Sequence, residues 1–95
     1  MVVSASSTSA VVVTGAQLRA ARALLNISAL QLAELTGLGL NTVRRAEATN
    51  AAAPVTATNA RLLVSTLEAA GVVFIPAEAT LGAGVRLRSA GSDAH

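Results

Sequence analysis

The segment Ser28 to Gly37, SALQLAELTG, constrains this chain more tightly than any other part of it. Ser28 and Gln31 have the spacing at which an N-cap hydroxyl and the third helical side chain exchange hydrogen bonds with the backbone, so a helix is predicted to start at Ser28. Gly37 ends it, because glycine enters the left-handed conformation without steric penalty. A second apolar period follows at once over Leu40 to Ala48, where Leu40, Val43 and Ala46 recur at helical spacing beside Arg44, Arg45 and Glu47. Two helices joined by a turn of about three or four residues cross at roughly 90 to 120° and need a small residue where their backbones approach. Ala33 supplies it, four residues before the Gly37 corner. Leu32, Leu35, Leu38, Val43 and Ala46 are then expected in the wedge, leaving Leu40, Asn41, Thr42, Arg44 and Arg45 outward or along its rim.

The rest of the chain wraps this pair. Ala16 to Leu25 carries Leu18, Ala21, Leu24 and Leu25 at helical spacing, with Thr14 or Gly15 as cap. A loop over Thr49 to Thr56, with Asn50 and Pro54, precedes a fourth helix capped by Thr56 or Thr58 and ending at Ala70 before Gly71. Its expected apolar stripe is Leu62, Leu63, Thr66, Leu67 and Ala70. Beyond Gly71 the period changes. Val72 to Ile75 is β-branched and aromatic, Pro76 stops it, and Val85 to Arg88 alternates apolar with charged, which predicts a β-hairpin over residues 72–88. The expected architecture is mainly α, four helices followed by a C-terminal hairpin in one domain over residues 14–88. Residues 1–13 are expected to form a flexible arm and 89–95 a polar tail.

Ninety-five residues hold a single core. With one Phe, one Met and no Trp or Tyr in a chain that is 53% hydrophobic, that core must be built from Leu, Val, Ile and Ala, which favours closely packed helices. The absence of Cys excludes disulfide scaffolds, thiol catalysis and cysteine zinc sites. His95 is the sole histidine and the last residue, so neither a histidine metal site nor a catalytic triad is expected, and no metal or cofactor is implied. Glu34 and Glu68 form no carboxylate pair. Gly37-Leu38-Gly39 and the Gly82 to Gly84 stretch lack the third glycine or the lysine of a phosphate loop. The residues argue against an enzyme. No uninterrupted apolar stretch approaches the ~18 residues of a membrane span, and Met1 to Val13 lacks a secretory pattern. The expectation is a cytoplasmic protein without membrane association. The net charge is only +2, so the extreme pI of 11.2 reflects a lack of other titrating groups, and the placement of the arginines matters more than their sum.

Leu18-Arg19-x-x-Arg22, Ser28-x-x-x-Leu32-Ala33, Thr36-Gly37-Leu38 and Asn41-Thr42-Val43-Arg44-Arg45-Ala46-Glu47 together resemble the lambda-repressor-like, xenobiotic-response-element type of helix-turn-helix transcriptional regulators. The resemblance runs from Gly15 to about Arg88, and LEAAGVVFIP and GVRLR look like the tail of a bacterial subgroup of small one-domain members. It implies that Arg22 and Glu47 form a buried ion pair between the first and third helices. It also implies that the start of the third helix enters the DNA major groove, with Leu40, Asn41, Thr42 and Arg45 on base edges and Ser28, Ala29, Gly39, Arg44 and Thr49 on phosphates. Base chemistry agrees in part: Asn pairs bidentately with adenine, Arg with guanine, and Leu40 or the Thr42 methyl meets a thymine methyl. The chain departs from the family pattern at Ala29, where glutamine is common, at Gly39 and Leu40, where polar residues are usual, and at Ala46, which thins the wedge and invites Leu30 inward.

Val72 to Ile75 is apolar on both faces, and one layer of helices covers only one of them. An exposed apolar strand pairs readily with another copy. A homodimer contacting through Val73, Ile75, Val85 and Leu87 is therefore expected, acting as a repressor that reads an inverted repeat. The alternative is an antitoxin or anti-activator that uses Leu30, Leu40 and the hairpin to hold a protein partner.

Overall fold

A computed structural model describes residues 12–89. In chain order it contains α1 (Gly15–Leu25), α2 (Ala29–Thr36), α3 (Leu40–Glu47), α4 (Ala57–Ala69), β1 (Val72–Ile75) and β2 (Gly84–Leu87). This is a small, mainly helical domain closed by a two-stranded antiparallel hairpin.

Local chemistry sets most of the helix ends. Thr14 and Gln17 form a reciprocal capping box at the start of α1, with bonds of 3.0 and 2.9 Å. Ser28 and Gln31 repeat it at the start of α2, at 3.0 and 2.8 Å. Asn26 closes α1 in the left-handed region at φ 58°, a conformation asparagine tolerates better than other side chains. Gly37 closes α2 at φ 78°, its N–H donating to the Ala33 carbonyl at 2.8 Å. Thr56 caps α4, accepting from the Asn59 N–H at 3.1 Å.

The core is aliphatic. Leu18, Leu32, Val43, Leu63, Leu67 and Val72 are fully buried, and Phe74 lies only half-buried against them. Ala21, Ala33 and Ala46 fill the close approaches between helices. Two-turn helices bury narrow stripes, and several expected core residues fall outside them. Leu35 is 61% exposed, because at 3.6 residues per turn it stands about 110° from the centre of the Leu32 and Ala33 stripe. Leu24 is exposed while Leu25 packs inward, because on the helical wheel Leu24 stands about 120° from the buried Leu18 and Leu25 only about 20° from it. Leu30 also stays out, at 53% exposed, and the wedge thinned by Ala46 does not draw it in. On α4 the buried stripe is Ala60, Leu63 and Leu67 with Val64 beside it. Leu62 and Thr66 are half-buried and Ala70 is exposed.

The hairpin register pairs Val72 with Leu87, Val73 with Arg86, Phe74 with Val85, and Ile75 with Gly84. Paired residues share a face of the ladder. Val72, Phe74 and Val85 pack against the helices, which puts Leu87, the partner of Val72, on that inner face as well. Val73 and Ile75 share the outer face with Arg86 and Gly84. The four residues expected at a dimer contact are therefore split: Val85 and Leu87 belong to the inward side, and only Val73 and Ile75 face away.

Val13, assigned to the flexible arm, is buried, and its carbonyl accepts the Ala53 N–H at 2.9 Å. Val12 is exposed, and residues 1–11 of the arm and most of the polar tail lie outside the described residues.

Candidate nucleic-acid interface

α3 is polarised along its length and across its girth. Val43, Ala46 and Glu47 are buried, Leu40 is half-buried against the core, and Asn41, Arg44 and Arg45 are exposed. Thr42 is half-buried at the edge between the two sides. The exposed side thus joins one amide to two guanidinium groups. Of the residues expected on base edges, Asn41 and Arg45 stand free of the core and Thr42 partly so. Leu40 is committed in part to packing.

The residues expected on phosphates are less uniform. Arg44 is exposed. Ser28 is exposed, but its hydroxyl already accepts the Gln31 N–H. Ala29 is half-buried against the core. Gly39 caps α3 in an extended conformation without a side-chain bond, and a β-carbon there would meet nothing nearer than the Thr42 hydroxyl at 4.0 Å. Thr49 is half-buried, and its hydroxyl accepts the Ala51 N–H at 3.0 Å.

Arg22 and Glu47 form the expected bridge, and it is bidentate. Nε donates to Oε2 at 2.7 Å and Nη2 donates to Oε1 at 2.8 Å. Nη1 donates to the Ile27 carbonyl at 3.1 Å, so Arg22 also fixes the link between α1 and α2. The Glu47 side chain is 7% exposed and that of Arg22 23%. Hydrogen bonding to Glu47 raises the Arg22 guanidinium above its ordinary range, against the opposing effect of burial.

Three supporting residues were not foreseen. Gly15 packs so closely on the end of α3 that a β-carbon would stand 2.0 Å from the Thr49 carbonyl oxygen and 2.8 Å from that of Ala46. Arg19 donates to the carbonyls of Glu47 and Thr49 and to Asn50 Oδ1. Gln17 is buried, and its Nε2 donates to the carbonyls of Ile75 at 3.2 Å and Gly84 at 3.0 Å, tying the loop end of the hairpin to α1. The four-residue and seven-residue spacing of Arg19 and Arg22 from Gly15 was available as a signal, as was the Thr14-x-x-Gln17 pattern.

Among the described residues no group of three or more His, Asp, Glu or Cys could hold a metal ion, and no helix is long and apolar enough to cross a membrane. No protein-family model matches the chain, nor does any curated protein or solved structure.

Proposed function

We propose that this chain is a sequence-specific double-stranded DNA-binding transcriptional regulator of the lambda-repressor-like helix-turn-helix type, a cytoplasmic homodimeric repressor that reads an inverted repeat with α3 in the major groove. One observation carries the reading. Asn41, Arg44 and Arg45 are exposed on a helix whose opposite side is held by Val43, Ala46 and the bridged Glu47. A braced helix with an amide and guanidinium groups outward has the donors and acceptors that base edges and phosphates require. Val73 and Ile75 on the outer hairpin face are the residues for a second copy, which would set two α3 helices about one helical turn of DNA apart. Selection from a random pool of duplex DNA at controlled salt tests the reading: an enriched inverted repeat supports it, and no enrichment at low salt overturns it.

A second reading follows from Leu30 and Leu35, both more than half exposed on α2. They suit an antitoxin or anti-activator that holds a protein partner. Replacing Asn41 and Arg45 by Ala separates the two, because DNA retention is lost under the first and partner capture is kept under the second.

A further inference from the structure

One face of α1 is devoted to the carbonyl end of α3. Gly15, Arg19 and Arg22 stand at i, i+4 and i+7, which stacks them along one side of the helix. Gly15 admits the Thr49 and Ala46 carbonyls, Arg22 holds the Glu47 carboxylate, and between them Arg19 donates to the Glu47 and Thr49 carbonyls. Both of those bonds come from Nη1, and the other terminal nitrogen, Nη2, donates to Asn50 Oδ1. The Arg19 charge thus sits at the negative end of the α3 dipole, engaged by backbone oxygens.

A guanidinium can only donate, so the partner atom on Asn50 must be its oxygen. That fixes the amide orientation and leaves the Nδ2 donors of an exposed residue pointing away from Arg19. We infer that Arg19 is a positioning residue that aims the Asn50 amide outward, just beyond α3, as an uncharged donor to a DNA phosphate. Asparagine is among the side chains that make such contacts, and they fix the register of a protein on the duplex. The inference rests on the DNA-binding reading above and adds Asn50 and Arg19 to its residues.

The test uses the full chain and the duplex recovered by selection, with affinity measured over a salt series well below each variant's melting temperature. Asn50→Ala is expected to weaken binding of the homodimer about a hundredfold, the loss of one hydrogen bond to a charged group in each of two copies, with the salt slope unchanged. In an Arg19→Ala background the same change is expected to cost less than about twofold, because the amide is already unaimed. Asn50→Asp keeps an acceptor for Arg19, so it is expected to preserve the melting temperature while weakening binding more than Asn50→Ala does. Unchanged affinity in Asn50→Ala and Asn50→Asp overturns the inference, and so does full additivity of Arg19→Ala with Asn50→Ala. A salt slope smaller by about 1.8 in Arg19→Ala, one contact per copy, places Arg19 itself on a phosphate and also overturns it. Failure of the unmodified protein to retain any duplex overturns the DNA-binding reading and this one with it.

Discussion

Arg22 on α1 and Glu47 at the end of α3 meet through two parallel hydrogen bonds of 2.7 and 2.8 Å, with the Glu47 carboxylate almost fully enclosed. The pair joins elements 25 residues apart in sequence. Bidentate geometry fixes both distance and angle between the two helices, and Arg22 extends the restraint to the Ile27 carbonyl.

Removing one partner strands the other. Glu47→Ala is expected to destabilise the domain by about 3 kcal/mol, the lower part of the range for a buried pair because Arg22 retains some solvent. In a domain of this size that corresponds to a fall in melting temperature of more than about 10 °C. An unchanged thermal midpoint, followed by circular dichroism, contradicts the role assigned to the bridge.

Gly15 reverses the usual effect of a helical glycine. Alanine in place of glycine within a helix ordinarily adds up to about 1 kcal/mol of stability, but here its β-carbon would collide with backbone oxygen. Gly15→Ala is therefore expected to destabilise by about 1 to 3 kcal/mol, the usual cost of forcing extra atoms into a packed site. Urea denaturation reads the sign directly, and a gain in stability refutes the close approach.

Gln17 completes both the α1 cap and the loop end of the hairpin. Gln17→Ala leaves the Ile75 and Gly84 carbonyls without their donor and is expected to cost about 1 to 3 kcal/mol. Hydrogen exchange at Phe74 and Val85 should accelerate before exchange at Leu32 or Val43 does, since local opening begins where restraints are lost. Uniform acceleration across both regions contradicts a local role.

Arg44 and Arg45 are the exposed cations of α3, whereas Arg19 and Arg22 on α1 are occupied within the domain. With Arg45 on a base edge, one phosphate contact from Arg44 in each of two copies gives an expected salt slope of about −1.8 for a homodimer on an inverted repeat. Arg44→Gln should remove most of that slope. Salt-insensitive affinity is incompatible with the arrangement.

Val73 and Ile75 carry the expected self-association. A charge on both copies of an apolar contact costs several kcal/mol, so Val73→Glu is expected to yield monomers in sedimentation while leaving the helical fold intact. Val85→Glu, on the inward side, is expected to unfold the domain instead. The reverse pattern would mean that the two hairpin faces have been exchanged.

Local rules decided the parts of this protein that depend on a few neighbouring atoms. The Ser28 and Gln31 capping box, the left-handed Gly37, the Thr56 cap and the change of period after Gly71 involve contacts no more than a turn away, and each stands where its side-chain chemistry requires. The polarity of α3 belongs with them, because a period of 3.6 places Val43 and Ala46 opposite Asn41 and Arg45 whatever surrounds the helix. Long-range packing decided the rest. Which of two adjacent leucines turns inward on α1, which hairpin residues face the helices, and that Gly15, Gln17 and Arg19 reach partners 28 to 67 residues distant are set by how elements meet. A side chain's local pattern limits the directions it can take, but only the neighbouring element supplies the carbonyl, carboxylate or apolar surface that selects among them.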